Sequence, residues 1–156
     1  MNWEKDFIRF FGYEPIECIG PSSIAVYKIK KGDEIAIAKI AFKEKNAKDL
    51  SDEQRRLKEN QDLNWMPKLI LHRDYMGNSI QEAEILELFK KEGWKRRNPA
   101  ILIKEYIPGT ILNKTEHKSL NLNQFYCIKS QMEDMHLRRD AGLDICSPNI
   151  LVQTPQ

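Results

Sequence analysis

The sequence predicts an α+β domain built on an antiparallel sheet. Three observations predict it: short β-patterned runs joined by Gly-containing turns fill the first third, polar helix-favouring stretches alternate with single apolar runs afterwards, and no repeat or low-complexity segment interrupts the 156 residues. The length suits one main core, with roughly 70% of the unfolded surface buried on folding. Hydrophobic residues at 41% against charged residues at 31% exclude a disordered chain.

The elements follow in order. Residues 16–30, IECIGPSSIAVYKIK, read as two strands around a Gly20-Pro21-Ser22-Ser23 turn, and Lys31-Gly32-Asp33-Glu34 makes a hairpin into a third strand over Ile35–Phe42. Asn46–Asp62 reads as a helix with Leu50 and Leu57 on one face. Trp65-Met66-Pro67 interrupts, and Lys68–Asp74 is a short strand containing His72-Arg73-Asp74, read as strand and turn with solvated charges. A helix with a Ser79/Glu82 capping box then runs to about Glu92. Ala100–Ile107 is a strand stopped by Pro108-Gly109. A long helix from near Asn121, with Gln124 three residues on, carries Leu122, Phe125, Ile128, Met132 and Met135 at helical spacing, Met132 and Met135 as core residues. Ile150–Val152 closes as a strand.

Charge and cysteine content narrow the function classes. Lys+Arg 25 against Asp+Glu 23 leaves +2, which gives no global argument for a nucleic acid or an anionic membrane. The local basic patch Lys90, Lys91, Lys95, Arg96 and Arg97 around Trp94 reads as a solvated helix end and loop, with RNA or an acidic partner as the alternative. Cys18, Cys127 and Cys146 form no CxxC pair and read as reduced thiols in a cytoplasm. The run IAIAKIAF falls far short of the ~20 residues that span a bilayer, and the first fifteen residues lack a signal-like apolar stretch.

Two places carry chemistry. In the third strand Lys39 shares a face with Ile35 and Ile37, so its ammonium needs an anionic partner. Glu53, roughly 60° around the helix from the Leu50/Leu57 stripe, is the better candidate; Glu59 points nearly opposite. Ser51 as N-cap of that helix is an alternative, which would make Glu53 a dipole-stabilising first-turn residue. The second place is the last segment, where His136 precedes Asp144 by eight positions and Asn149 follows it by five, ahead of an apolar strand.

These spacings resemble the protein kinase superfamily, in its atypical, RIO-like and lipopolysaccharide-kinase-like branch. The resemblance runs from Gly20 through Val152. It implies a small antiparallel N-lobe over residues 1–107 and a reduced helical C-lobe over 108–156. Asp144 would be the catalytic base and a metal ligand, and Asn149 a magnesium ligand. Lys39 would hold the phosphates of ATP and Glu53 would be its ion-pair partner. Gly20, Ser22 and Ser23 would form a degenerate phosphate-covering loop, and the Glu105 carbonyl and Ile107 N–H would meet the adenine edge. The implied activity is ATP-dependent phosphotransfer, with ATP and Mg2+, to a hydroxyl of a protein Ser/Thr; a pseudokinase-like nucleotide or protein-binding module and a small-molecule kinase are the alternatives.

The chain departs from the family pattern in places. Gly142-Leu143 replaces the usual His-Arg, Cys146 stands where a lysine is typical, and Lys104 occupies the gatekeeper position, where it narrows or charges the back of the pocket. The Asp-Phe-Gly motif due about a dozen residues after the Asn is absent, and seven residues follow Asn149. The expectation is either a chain truncated after its catalytic loop or a naturally minimal kinase-like protein that has shed metal binding, with an exposed apolar face that favours a homodimer.

Overall fold

The computed structural model describes residues 3–20, 23–74, 87, 99–111, 121–137 and 151–152. The expected helix ending near Glu92 and the basic patch around Trp94 lie outside these residues, apart from Glu87, which is helical. The chain divides into two compact units, Met1–Tyr106 and Ile107–Gln156.

The first unit opens with a helix, α1 (Trp3–Phe10), that the strand-led reading did not include. Its signal is in the sequence: Trp3, Phe7 and Ile8 recur at helical spacing, and all three are buried. Strands β1 (Glu14–Gly20), β2 (Ile24–Lys31) and β3 (Glu34–Ala41) follow as an antiparallel meander, then α2 (Glu44–Glu59), β4 (Leu69–Arg73) and β5 (Ala100–Glu105). The sheet order is β1-β2-β3-β5-β4, antiparallel throughout. The fold class is therefore α+β, with a five-stranded antiparallel sheet and three helices among the described residues.

Turn chemistry sets the β2–β3 register. Gly32 has φ +60° in the two-residue loop, the left-handed value that tight hairpin turns demand at their first central residue. It places Lys31 opposite Glu34 and, further along, Val26 opposite Lys39.

Strand alternation then divides the core in two. On one face Ala25, Tyr27, Ile29, Ala36, Ala38, Ile40, Ile101 and Ile103 pack with Trp3, Phe7 and Ile8 of α1. The Tyr27 hydroxyl donates to Glu4, and the Tyr13 hydroxyl donates to Glu34 at 3.0 Å. On the other face Ala41, Ala100 and Leu102 pack with Ala47, Leu50 and Leu57 of α2. That second face also carries Lys39.

Two expectations about α2 and β4 are corrected. Lys43 is the N-cap of α2, so Ser51 lies well inside the helix and does not cap it; the polar run simply begins earlier than its first apolar contacts. The charges of the His72-Arg73-Asp74 tripeptide are not all solvated. Arg73 is half-buried and donates to the Pro99 carbonyl, and half-buried His72 is held below its ordinary pKa of 6.5 chiefly by burial. The strand draws both side chains against the sheet.

In the second unit β6 (Thr110–Ile111) pairs antiparallel with β7 (Leu151–Val152). The long helix α3 (Leu122–Leu137) starts on a reciprocal cap: Asn121 Oδ1 accepts from the Gln124 N–H at 2.8 Å, and Gln124 Oε1 accepts from the Asn121 N–H at 2.9 Å. Its packing corrects the expected core stripe. Met135 is buried at 2% exposure, whereas Met132, Phe125 and Leu122 are exposed. Burial centres on the line Gln124, Ile128, Gln131 and Met135, at one border of a broad apolar arc that also holds exposed Tyr126 and Leu137. A wide arc does not say which of its sides packs.

Candidate functional site

Lys39 reaches the site through strand alternation. Ala36, Ala38 and Ile40 are buried on one face, and Ile35, Ile37 and Lys39 are half-buried on the other. Glu53 reaches it from above, on the same side of α2 as buried Leu50 and Leu57. Lys39 Nζ donates to Glu53 Oε2 at 2.7 Å, with the two side chains 26% and 23% exposed. Glu59 pairs instead with Arg55 in solvent.

The pair has a third member. Lys104 on β5 stands opposite Ile37 in the β3–β5 register, on the face that holds Lys39, and its Nζ donates to the other oxygen, Glu53 Oε1, at 2.6 Å. One carboxylate therefore holds two ammoniums. Burial pushes the Glu53 carboxyl up, but the Lys104 and Lys39 charges together outweigh burial and hold it below its ordinary 4.5. The Lys104 pKa is lowered as well, which for an ammonium disfavours the charged form. Burial first, and then the charge of Lys39, push its ammonium below the ordinary 10.5 against the opposing pull of Glu53.

Lys104 stands out in the sequence as a lysine ending the apolar run AILIK, but only the sheet register brings it to Glu53. Half-buried Val26 pairs with Lys39 in register, and half-buried Lys28, opposite Ile37, lays its ammonium 4.4 Å from the centre of the Tyr106 ring.

The β1–β2 turn is tied to α2. Buried Asn46, in the first turn of α2, donates from Nδ2 to the Ser23 carbonyl at 2.8 Å. Gly20 ends β1 opposite Val26, and Ser22 lies outside the described residues. Glu105 ends β5; its N–H donates to the Lys68 carbonyl at 2.8 Å, and its carboxylate accepts from the Lys68 N–H at 3.1 Å. Ile107 opens the second unit. Asp144, Asn149 and Cys146 lie outside the described residues. Among the described residues no group of His, Cys, Asp and Glu is arranged to hold a metal ion, and no helix is long and apolar enough to cross a membrane.

No protein-family model matches the chain, and no curated protein matches it. The class that the geometry defines is an α+β domain in which two sheet lysines and a carboxylate from helix α2 form a lysine–carboxylate–lysine cluster.

Proposed function

We propose that this chain is an ATP-dependent phosphotransferase of the protein-kinase-like type, with ATP and Mg2+ as its nucleotide and metal. The observation that carries the reading is the 2.7 Å ion pair between Lys39 on the third strand and Glu53 on the helix that follows it. A lysine drawn half into a sheet face and fixed by a carboxylate presents a localised cation to phosphate oxygens. The small antiparallel sheet and the tie from Asn46 to the β1–β2 turn support the same reading. Gly20, Ser22 and Ser23 then cover the phosphates, and Glu105 and Ile107 meet the base. In this reading Asp144 would take the proton of an acceptor hydroxyl as the γ-phosphoryl group leaves ADP, and Asn149 with Asp144 would hold the magnesium ion, which would neutralise phosphate charge. The acceptor is a protein Ser/Thr or a small-molecule hydroxyl.

A second reading, a catalytically impaired nucleotide-binding module, is favoured by Lys104, which occupies half of the Glu53 carboxylate. Calorimetric titration with ATP, with and without magnesium and with Lys39→Ala as control, tests both. Binding that depends on Lys39 is expected. Phosphotransfer abolished by Asp144→Asn separates the enzyme from the binding module, whereas an undiminished rate in that variant overturns the assignment of Asp144.

A further inference from the structure

Charge at Glu53 does not balance. Lys39 and Lys104 are 26% and 20% exposed, and the single carboxylate between them is 23% exposed. Among the described residues, two ammoniums against one carboxylate leave a net +1 in a half-buried place, where an uncompensated charge is costly. Each ammonium has three donors and gives one to Glu53, so donors remain on both.

The surroundings add positive charge. Lys28 lies on the same face, two strands from Lys104 and so roughly 10 Å away. Among the described residues of that face, Glu17, opposite Lys28 on β1, is exposed, and His72, opposite Leu102, is held toward its neutral form chiefly by burial. Two lysines converging on one point, with spare donors and excess charge, match an anion that offers several adjacent oxygens and more than one negative charge. A polyphosphate does so; a single carboxylate does not.

Resting on the nucleotide reading above, we infer that Lys104 is a second phosphate ligand, and that Lys39 and Lys104 together hold the polyphosphate chain of the nucleotide even before magnesium joins it. Glu53 holds both ammoniums, one on each carboxylate oxygen, and the bound anion supplies the missing negative charge.

The test titrates the full chain with ATP and with inorganic tripolyphosphate, in EDTA and in magnesium, for wild type, Lys39→Ala, Lys104→Met and Lys104→Arg. Both ligands are expected to bind wild type in EDTA. Loss of one charge-assisted contact in Lys104→Met should weaken both by about tenfold or more, and Lys104→Arg should retain most of the affinity. Metal-free binding that is unchanged or tighter in Lys104→Met, or binding that requires magnesium, overturns the inference while leaving the Lys39 site intact. No binding by folded wild type in either condition overturns the nucleotide reading and the inference with it. A second measurement uses wild type alone: tripolyphosphate in EDTA should protect both Lys39 and Lys104 from acetylation, read by mass spectrometry. Protection confined to Lys39 assigns the phosphates to that lysine and rejects Lys104.

Discussion

Asn46 and Ser23, on either side of the β3 strand in sequence, are joined by a 2.8 Å hydrogen bond from the buried side-chain amide to the turn carbonyl. The bond makes the turn between β1 and β2 an extension of α2, so any tilt of the helix that carries Glu53 moves the turn with it. Asn46→Ala should destabilise the protein by about 1 kcal/mol, the ordinary net value of one hydrogen bond with some desolvation cost for the orphaned carbonyl. Urea denaturation checks the magnitude, and faster exchange at the amides around Ser23 checks the location.

The lysine–carboxylate–lysine cluster predicts an order of mutational cost. Glu53→Ala leaves two half-buried ammoniums facing each other and should cost about 3 kcal/mol or more. Lys39→Met leaves Glu53 still paired with Lys104 and should cost clearly less. Thermal or urea unfolding of the two variants side by side decides, and a larger loss for Lys39→Met contradicts the shared-carboxylate arrangement.

Acid should find the same carboxylate. The folded-state pKa of Glu53 is lowered from its ordinary 4.5, so between the two values the folded chain binds fewer protons than the unfolded one. Stability contributed by Glu53 is therefore fully present above pH 4.5 and is lost as pH falls through the lowered folded value. Wild type should lose stability more steeply than Glu53→Gln over this acid range. Parallel slopes for the two proteins would show that Glu53 does not carry the effect.

The reciprocal cap at the start of α3 is open to a local test. Asn121→Ala removes the acceptor for the Gln124 N–H and should cost about 1 kcal/mol. Hydrogen exchange at Gln124 and Phe125 should rise with it, while β5 amides stay protected.

Helix α1 supplies much of the apolar cover on one sheet face, and Phe7 is fully buried there against the Trp3 and Phe11 rings. Phe7→Ala should cost about 3–5 kcal/mol. A loss below 1 kcal/mol in chemical denaturation would mean that α1 is not part of the cooperative core.

Much of the sheet was legible because strand patterning is local. The Gly32 turn and the alternation of Ile35–Ile40 define a hairpin and its two faces without reference to anything distant. Glu53 was legible for the same kind of reason: helical geometry places it beside Leu50 and Leu57 whatever the helix packs on. Helix α1 escaped because its eight residues carry four charges among their aromatic side chains. The packing side of α3 escaped because its apolar residues spread over too wide an arc for periodicity to choose a side.

The sequence by itself determined that Lys39 faces with Ile35 and Ile37 and that Glu53 borders the buried stripe of α2, since both follow from backbone periods of two and 3.6 residues. Only the tertiary structure decided that Lys104 would join them. It lies 51 residues beyond Glu53 in the chain, and its arrival depends on β5 pairing with β3 in the register that sets Lys104 opposite Ile37. Register of distant strands is a property of the assembled sheet, held by the burial of Ile101, Leu102 and Ile103 on its two faces, and a one-residue slip would turn Lys104 away from the carboxylate.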